Sequence, residues 1–149
     1  MDTPLRLTAS LEDAIFRLGQ PIPVRLELIN VSSEPVWINK RMSVGYEDGF
    51  TRELFFCIYD ASTGNIIPAP ENERVDAHRL PPTREDFRLL GSGEACDTVI
   101  DVYFWHRFAR SGSYRIVFTY DNQYDGHEFG LRAFTGSIES NPLLITIES

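Results

Sequence analysis

The chain has 149 residues, 42% of them hydrophobic and 24% charged, with 22 acidic against 14 basic residues and a formal charge of −8. Such a chain is expected to form one domain over residues 1–149, burying ~70% of the surface its unfolded form exposes, with no need of metal or disulfides. The acidity disfavours nucleic acid and anionic lipid as partners, and no run of about 18 apolar residues offers a membrane span.

The start, "MDTPLRLTAS", lacks a basic patch followed by an apolar stretch, so no signal peptide is expected. A cytoplasmic protein and a mature secreted or periplasmic form are both compatible with it. Alternation begins at once: Leu5, Leu7 and Ala9 fall on one face of 5–10, Arg6, Thr8 and Ser10 on the other. The stretch 22–30 repeats the pattern with Ile22, Val24, Leu26 and Leu28. Asn30-Val31-Ser32 matches a glycosylation acceptor, but Asn followed by small polar residues is also turn chemistry. The stretch 35–40 is a short strand in which Val36 and Ile38 compete with Trp37 for the inward face.

Residues 53–60, "ELFFCIYD", are apolar on both faces, as in a strand covered on two sides or lying at an interface. The turn "ASTGN" follows. Residues 96–104 place Thr98, Ile100, Val102 and Phe104 inward, 113–121 place Tyr114, Ile116, Phe118 and Tyr120 inward, and 143–148 do so with Leu143, Ile145 and Ile147. Helical periodicity is confined to a thin apolar face at 70–80. About seven to nine short strands with turns between them predict an all-β, immunoglobulin-like β-sandwich of two antiparallel sheets, with a barrel as the alternative. Gly112-Ser113-Tyr114 adds the tyrosine corner of such folds, in which the hydroxyl bonds backbone a few residues upstream.

Assembled chemistry is hard to find. No Gly-x-Ser-x-Gly turn is present. Cys57 lies mid-strand with opposite parity to Cys96, so neither a reactive thiolate nor a bridge is expected. Asp97 and Asp101 share a strand face ~13 Å apart, which reads as a solvated face. "DNQYDG" imitates the start of a calcium loop, yet its twelfth position is Arg132 instead of a bidentate glutamate. It therefore reads as a strand exit, and Asp121 with Asp125, or His78 and His127 with Asp125 or Glu128, are the weak metal alternatives. No cofactor, metal or catalytic set is expected, and the chain reads as a non-enzyme.

"LGQPIPVRLELINVSSEPVWI", "RELFFCIYDASTGNII", "GSGEACDTVIDV", "SGSYRIVFTY" and "FTGSIESNPLLITI" resemble the successive strands and turns of bacterial immunoglobulin-like domains, over roughly residues 5–148. In part they are also similar to bacterial intracellular proteinase-inhibitor domains of the BsuPI type. The resemblance implies a sandwich and, through the second family, a protease as partner; no motif marks a reactive loop.

Function is then expected in loops. The sandwich reading places 31–34, 61–95 and 122–142 at one end and 41–52 and 105–112 at the other. The stretch 68–86 carries four prolines and eight charges among nineteen residues, a candidate binding loop. Trp105 with Phe108, and Phe129 with Phe134, are the aromatics to inspect, and His78 and Arg79 complete the candidate partner-binding residues. The expected function is recognition of a protein partner through end loops or an edge strand, with a proteinase inhibitor and a carbohydrate-binding module as alternatives. Strand 53–60, if it lies at an edge, is expected to support a homodimer.

Overall fold

Alternation decides the architecture. In the computed structural model, which describes residues 3–42, 44–46, 53–68 and 81–149, Leu5, Leu7 and Ala9 of β1 (Leu5–Ser10) are buried. Val24, Leu26 and Leu28 of β3 (Pro23–Asn30) are buried beside them, as are Cys96 and Ile100 of β9 (Ala95–Asp101). These strands form an antiparallel sheet in the order β1-β3-β9.

The facing sheet has seven strands and is centred on β10 (Gly112–Asn122), the longest. Its inward side chains Tyr114, Ile116, Phe118 and Tyr120 are buried, as the alternation predicts. β10 pairs antiparallel with β6 (Leu54–Asp60) and β12 (Leu143–Glu148) and, further along, with β11 (Gly136–Glu139). β2 (Ile15–Arg17) joins β12 and β5 (Val44–Tyr46) joins β6, both in parallel, and β7 (Ile66–Ile67) caps the far half of β6. A third pair, β4 (Val36–Asn39) with β8 (Phe87–Leu90), contributes Ile38 and Leu90 to the same core. Each fully buried aliphatic side chain here stabilises the sandwich by roughly 1.5–3 kcal/mol relative to exposure. The result is an all-β sandwich with no closed barrel, and none of the described helices is long and apolar enough to cross a membrane.

Four expectations need correction. The strand expected over 96–104 ends at Asp101, because the Asp101 Oδ1 accepts from the Tyr103 amide at 3.0 Å and caps the one-turn helix α1 (Val102–Trp105). Phe104 is consequently 47% exposed instead of inward. Short helical turns thus occur at α1, at Arg84–Asp86 and at His127–Phe129, while the expected stretch 70–80 lies outside the described residues. Strand 53–60 is interior, not an edge: β10 covers one side of β6 and β5 and β7 the other, so edge-to-edge homodimerisation through it has no free ladder to use. Finally, the loop ends sort differently, since β6 pairs directly with β10. The turn 61–67 meets 105–112, with the Ala61 amide donating to the Ser113 carbonyl at 2.9 Å, whereas Glu53 meets Asp121 at the opposite end.

Asn30 is fully buried, its amide nitrogen donating to the carbonyls of Glu34 at 2.8 Å and Leu90 at 3.0 Å. Its side-chain oxygen accepts from the amide and hydroxyl of Ser32, so the residue is a turn anchor. Trp37 is half-buried and faces away from Ile38, with the Arg84 guanidinium 5.4 Å above its ring.

Candidate binding cleft

The loop between α1 and β10 begins where the His106 amide donates to the Val102 carbonyl at 2.8 Å and the chain turns extended. Asp101 holds the base of this turn, since its Oδ1 also accepts from the Ile22 amide at 2.8 Å and so ties the start of the loop to the residue just before β3, the neighbour of β9 in the same sheet. The loop ends at Gly112, whose φ of +150° is reached readily only without a Cβ. Two residues on, the Tyr114 hydroxyl donates to the Arg110 carbonyl at 2.8 Å, the tyrosine corner expected from the sequence. Phe108 is buried between two rings, with Tyr114 at 4.7 Å and His106 at 4.9 Å between centroids. Burial pushes the Tyr114 phenol above its ordinary pKa, and the Asp60 charge adds to that.

Around this stack lies a cleft of about 270 Å³. Ile67, Phe108, Ala109 and Tyr114 give it apolar walls, and His106, Arg107, Arg110 and Asp60 bring polar groups to it. Asp60 is the sole acid in that lining, and its Oδ1 is engaged by the Ser62 hydroxyl at 2.6 Å and the Ser62 amide at 2.8 Å. Those bonds hold the Asp60 carboxyl below its ordinary pKa. The guanidinium groups of Arg107 and Arg110 have no ion-pair or hydrogen-bond partner among the described residues. A guanidinium fork next to an apolar wall is suited to hold a planar anion while an attached apolar group fills the wall.

The expected site residues are distributed unevenly. Phe108 lines the cleft. Trp105 is half-buried against the core and meets Phe104 edge-on at 5.5 Å, so it flanks the loop without lining the cleft. Phe129 packs on Phe87 at 6.1 Å, and Phe134 is partly buried against the core. His78 and Arg79 lie outside the described residues, as do residues 69–80 of the candidate loop 68–86. Sequence reasoning passed over Arg107 and Arg110, although "HRFAR" is a basic cluster in a chain of charge −8.

Two other polar clusters lie away from the cleft. Glu53 is completely buried and receives both the Arg41 guanidinium, whose Nε lies 3.0 Å from Oε1, and the Asn39 amide. Asn39 also donates to Asn122 at 3.2 Å, and the Tyr120 hydroxyl donates to the Asn39 carbonyl at 2.9 Å, which closes the network. In "DNQYDG" the strand runs to Asn122 and then leaves the sheet. The Asp125 Oδ1 accepts from the His127 amide at 3.0 Å and lies 2.7 Å from His127 Nδ1. Asp125, His127 and Glu128 gather their ligand atoms within 4.8 Å, all open to solvent. Within this group, the Asp125–His127 bonds belong to the turn.

Against known proteins, no family model matches the chain, and no curated protein matches it in sequence.

Proposed function

We propose that this chain is an immunoglobulin-like recognition domain that binds another protein through the loop 105–111, without catalysis. The tyrosine corner between Tyr114 and Arg110 and the strand motifs support the immunoglobulin-like assignment. One observation carries the binding reading: the cleft beside Tyr114 combines an apolar wall with two arginines that have no partner among the described residues, on a loop tied down at both ends. Rigid sandwiches use such end loops for recognition, and anchoring removes part of the ordering cost that binding would otherwise incur. The aromatic residues Trp105 and Phe108 turn toward the core instead of forming an open stacking platform, which favours a protein ligand over a sugar.

Ala109 is exposed and lines the cleft, so Ala109→Trp fills it without touching the core. A random peptide library displayed against the domain should enrich sequences whose affinity falls at least about tenfold on that substitution. Enriched peptides indifferent to Ala109→Trp would place recognition elsewhere on the domain.

A further inference from the structure

We infer that the cleft beside Tyr114 takes an acidic peptide segment, in which a glutamate or aspartate sits next to an apolar side chain. This rests on the recognition reading above and adds the chemical class of the ligand.

The argument is one of charge and shape. The whole chain is acidic, at −8, yet the lining of this cleft reverses that sign with Arg107 and Arg110. The one acid present, Asp60, spends an oxygen on Ser62 in its own turn and pairs with neither arginine. Three other arginines are engaged internally, Arg25 with Asp97 at 2.8 Å, Arg41 with Glu53, and Arg115 4.3 Å over the Tyr59 ring. What sets Arg107 and Arg110 apart from Arg6, Arg17 and Arg132, likewise unengaged among the described residues, is their place in a cleft with an apolar wall. Arg107 and Arg110 line the same cleft on a loop whose backbone Tyr114 fixes at Arg110.

An incoming carboxylate would find guanidinium donors that match its geometry. A neutral group there would forgo that pairing. At about 270 Å³ the cleft is smaller than most pockets for drug-sized ligands and suits one or two side chains of an extended segment. Ile67, Phe108 and Ala109 supply the apolar surface against which the neighbouring side chain packs. A free anion would use the arginines and leave that wall bare.

The test is a titration of the ¹⁵N-labelled domain with acetyl-Leu-Glu-Phe-Glu-amide, acetyl-Leu-Gln-Phe-Gln-amide and inorganic phosphate. The glutamate peptide should shift the amides of 106–111 and bind at least about tenfold more tightly than the glutamine peptide. Its affinity should fall as salt rises. Arg107→Glu with Arg110→Glu should abolish the difference while leaving the thermal midpoint nearly unchanged, since both side chains are exposed. Equal binding of the two peptides, no shift from the glutamate peptide, or phosphate binding as tightly as that peptide would each overturn the inference. A library pool sensitive to Ala109→Trp but not enriched in Glu or Asp would likewise overturn it, and would leave the recognition reading standing.

Discussion

Tyr114 reaches back from the start of β10 to the carbonyl of Arg110 at 2.8 Å, and its ring packs on Phe108 at 4.7 Å. One side chain thus belongs at once to the core, to the loop and to the wall of the cleft. Tyr114→Phe keeps the packing and removes the bond, which should cost about 0.5–1.5 kcal/mol in urea denaturation. Its distinctive signature is local. Amide exchange should accelerate across 106–111 more than in β10 itself, and uniform acceleration would count against the anchoring role.

Arg41 and Glu53 make a second, purely structural pair. Glu53 is completely buried, so removing its cation strands a charge in the core. Arg41→Met should destabilise the fold by about 3–5 kcal/mol, and adding Glu53→Leu should recover part of the loss, because a buried pair is often replaceable by apolar packing. Denaturation of the single and double variants measures both effects. The pair should also be nearly insensitive to salt, in contrast to the exposed Arg25–Asp97 pair.

Gly126 and Gly130 flank the turn at His127–Phe129 with the same φ of +76°, but they differ in surroundings. A Cβ at Gly126 would lie 3.1 Å from the Leu131 Cβ and 3.3 Å from the Phe87 ring, whereas nothing lies within 4 Å at Gly130. Gly130→Ala should therefore cost only the left-handed strain, about 1–2 kcal/mol. Gly126→Ala should cost more, with Phe87 displaced; equal costs in thermal unfolding would show that the turn yields freely.

The Asp125–His127 contact gives a pH prediction. The hydrogen bond to Asp125 raises the His127 pKa, and bonds from His127 lower that of Asp125. The raised histidine contributes fully below its ordinary value of about 6.5 and loses that contribution as pH rises through its folded pKa. The lowered aspartate contributes above its ordinary value of about 3.9 and loses it as pH falls through its folded pKa. The turn should be tightest between about pH 4 and 6.5. Asp125→Asn should bring the His127 midpoint, followed by ring proton shifts, back toward the ordinary histidine value, and an unmoved midpoint would contradict the pairing.

How much of this was legible in the sequence depends on the range of each interaction. The inward residues of β1, β3, β10 and most of β12 follow from parity, because burial of one sheet face imposes a two-residue period. The tyrosine corner was readable because Gly112 and Tyr114 are close in sequence to the Arg110 they serve. The end of β9 was not, since Asp101 acts there as a cap for α1 and parity carries no mark of capping. The interior position of β6 shows on its two apolar faces, but which strands cover it is a matter of topology. The cleft joins residues 60 and 67 to 106–114 through the β6–β10 pairing, a long-range relation with no local signature. Arg41 and Glu53 meet across a connection that composition alone reads as an ordinary charged loop.

The central claim is that the Tyr114-anchored loop is the recognition surface of this sandwich. Its most direct test is amide chemical-shift mapping with whichever peptides a random library enriches. The account predicts that perturbed amides cluster at 106–111, Asp60, Ile67 and Tyr114. Perturbations confined to the outer edge of β9, or to the turn around His127, would contradict it.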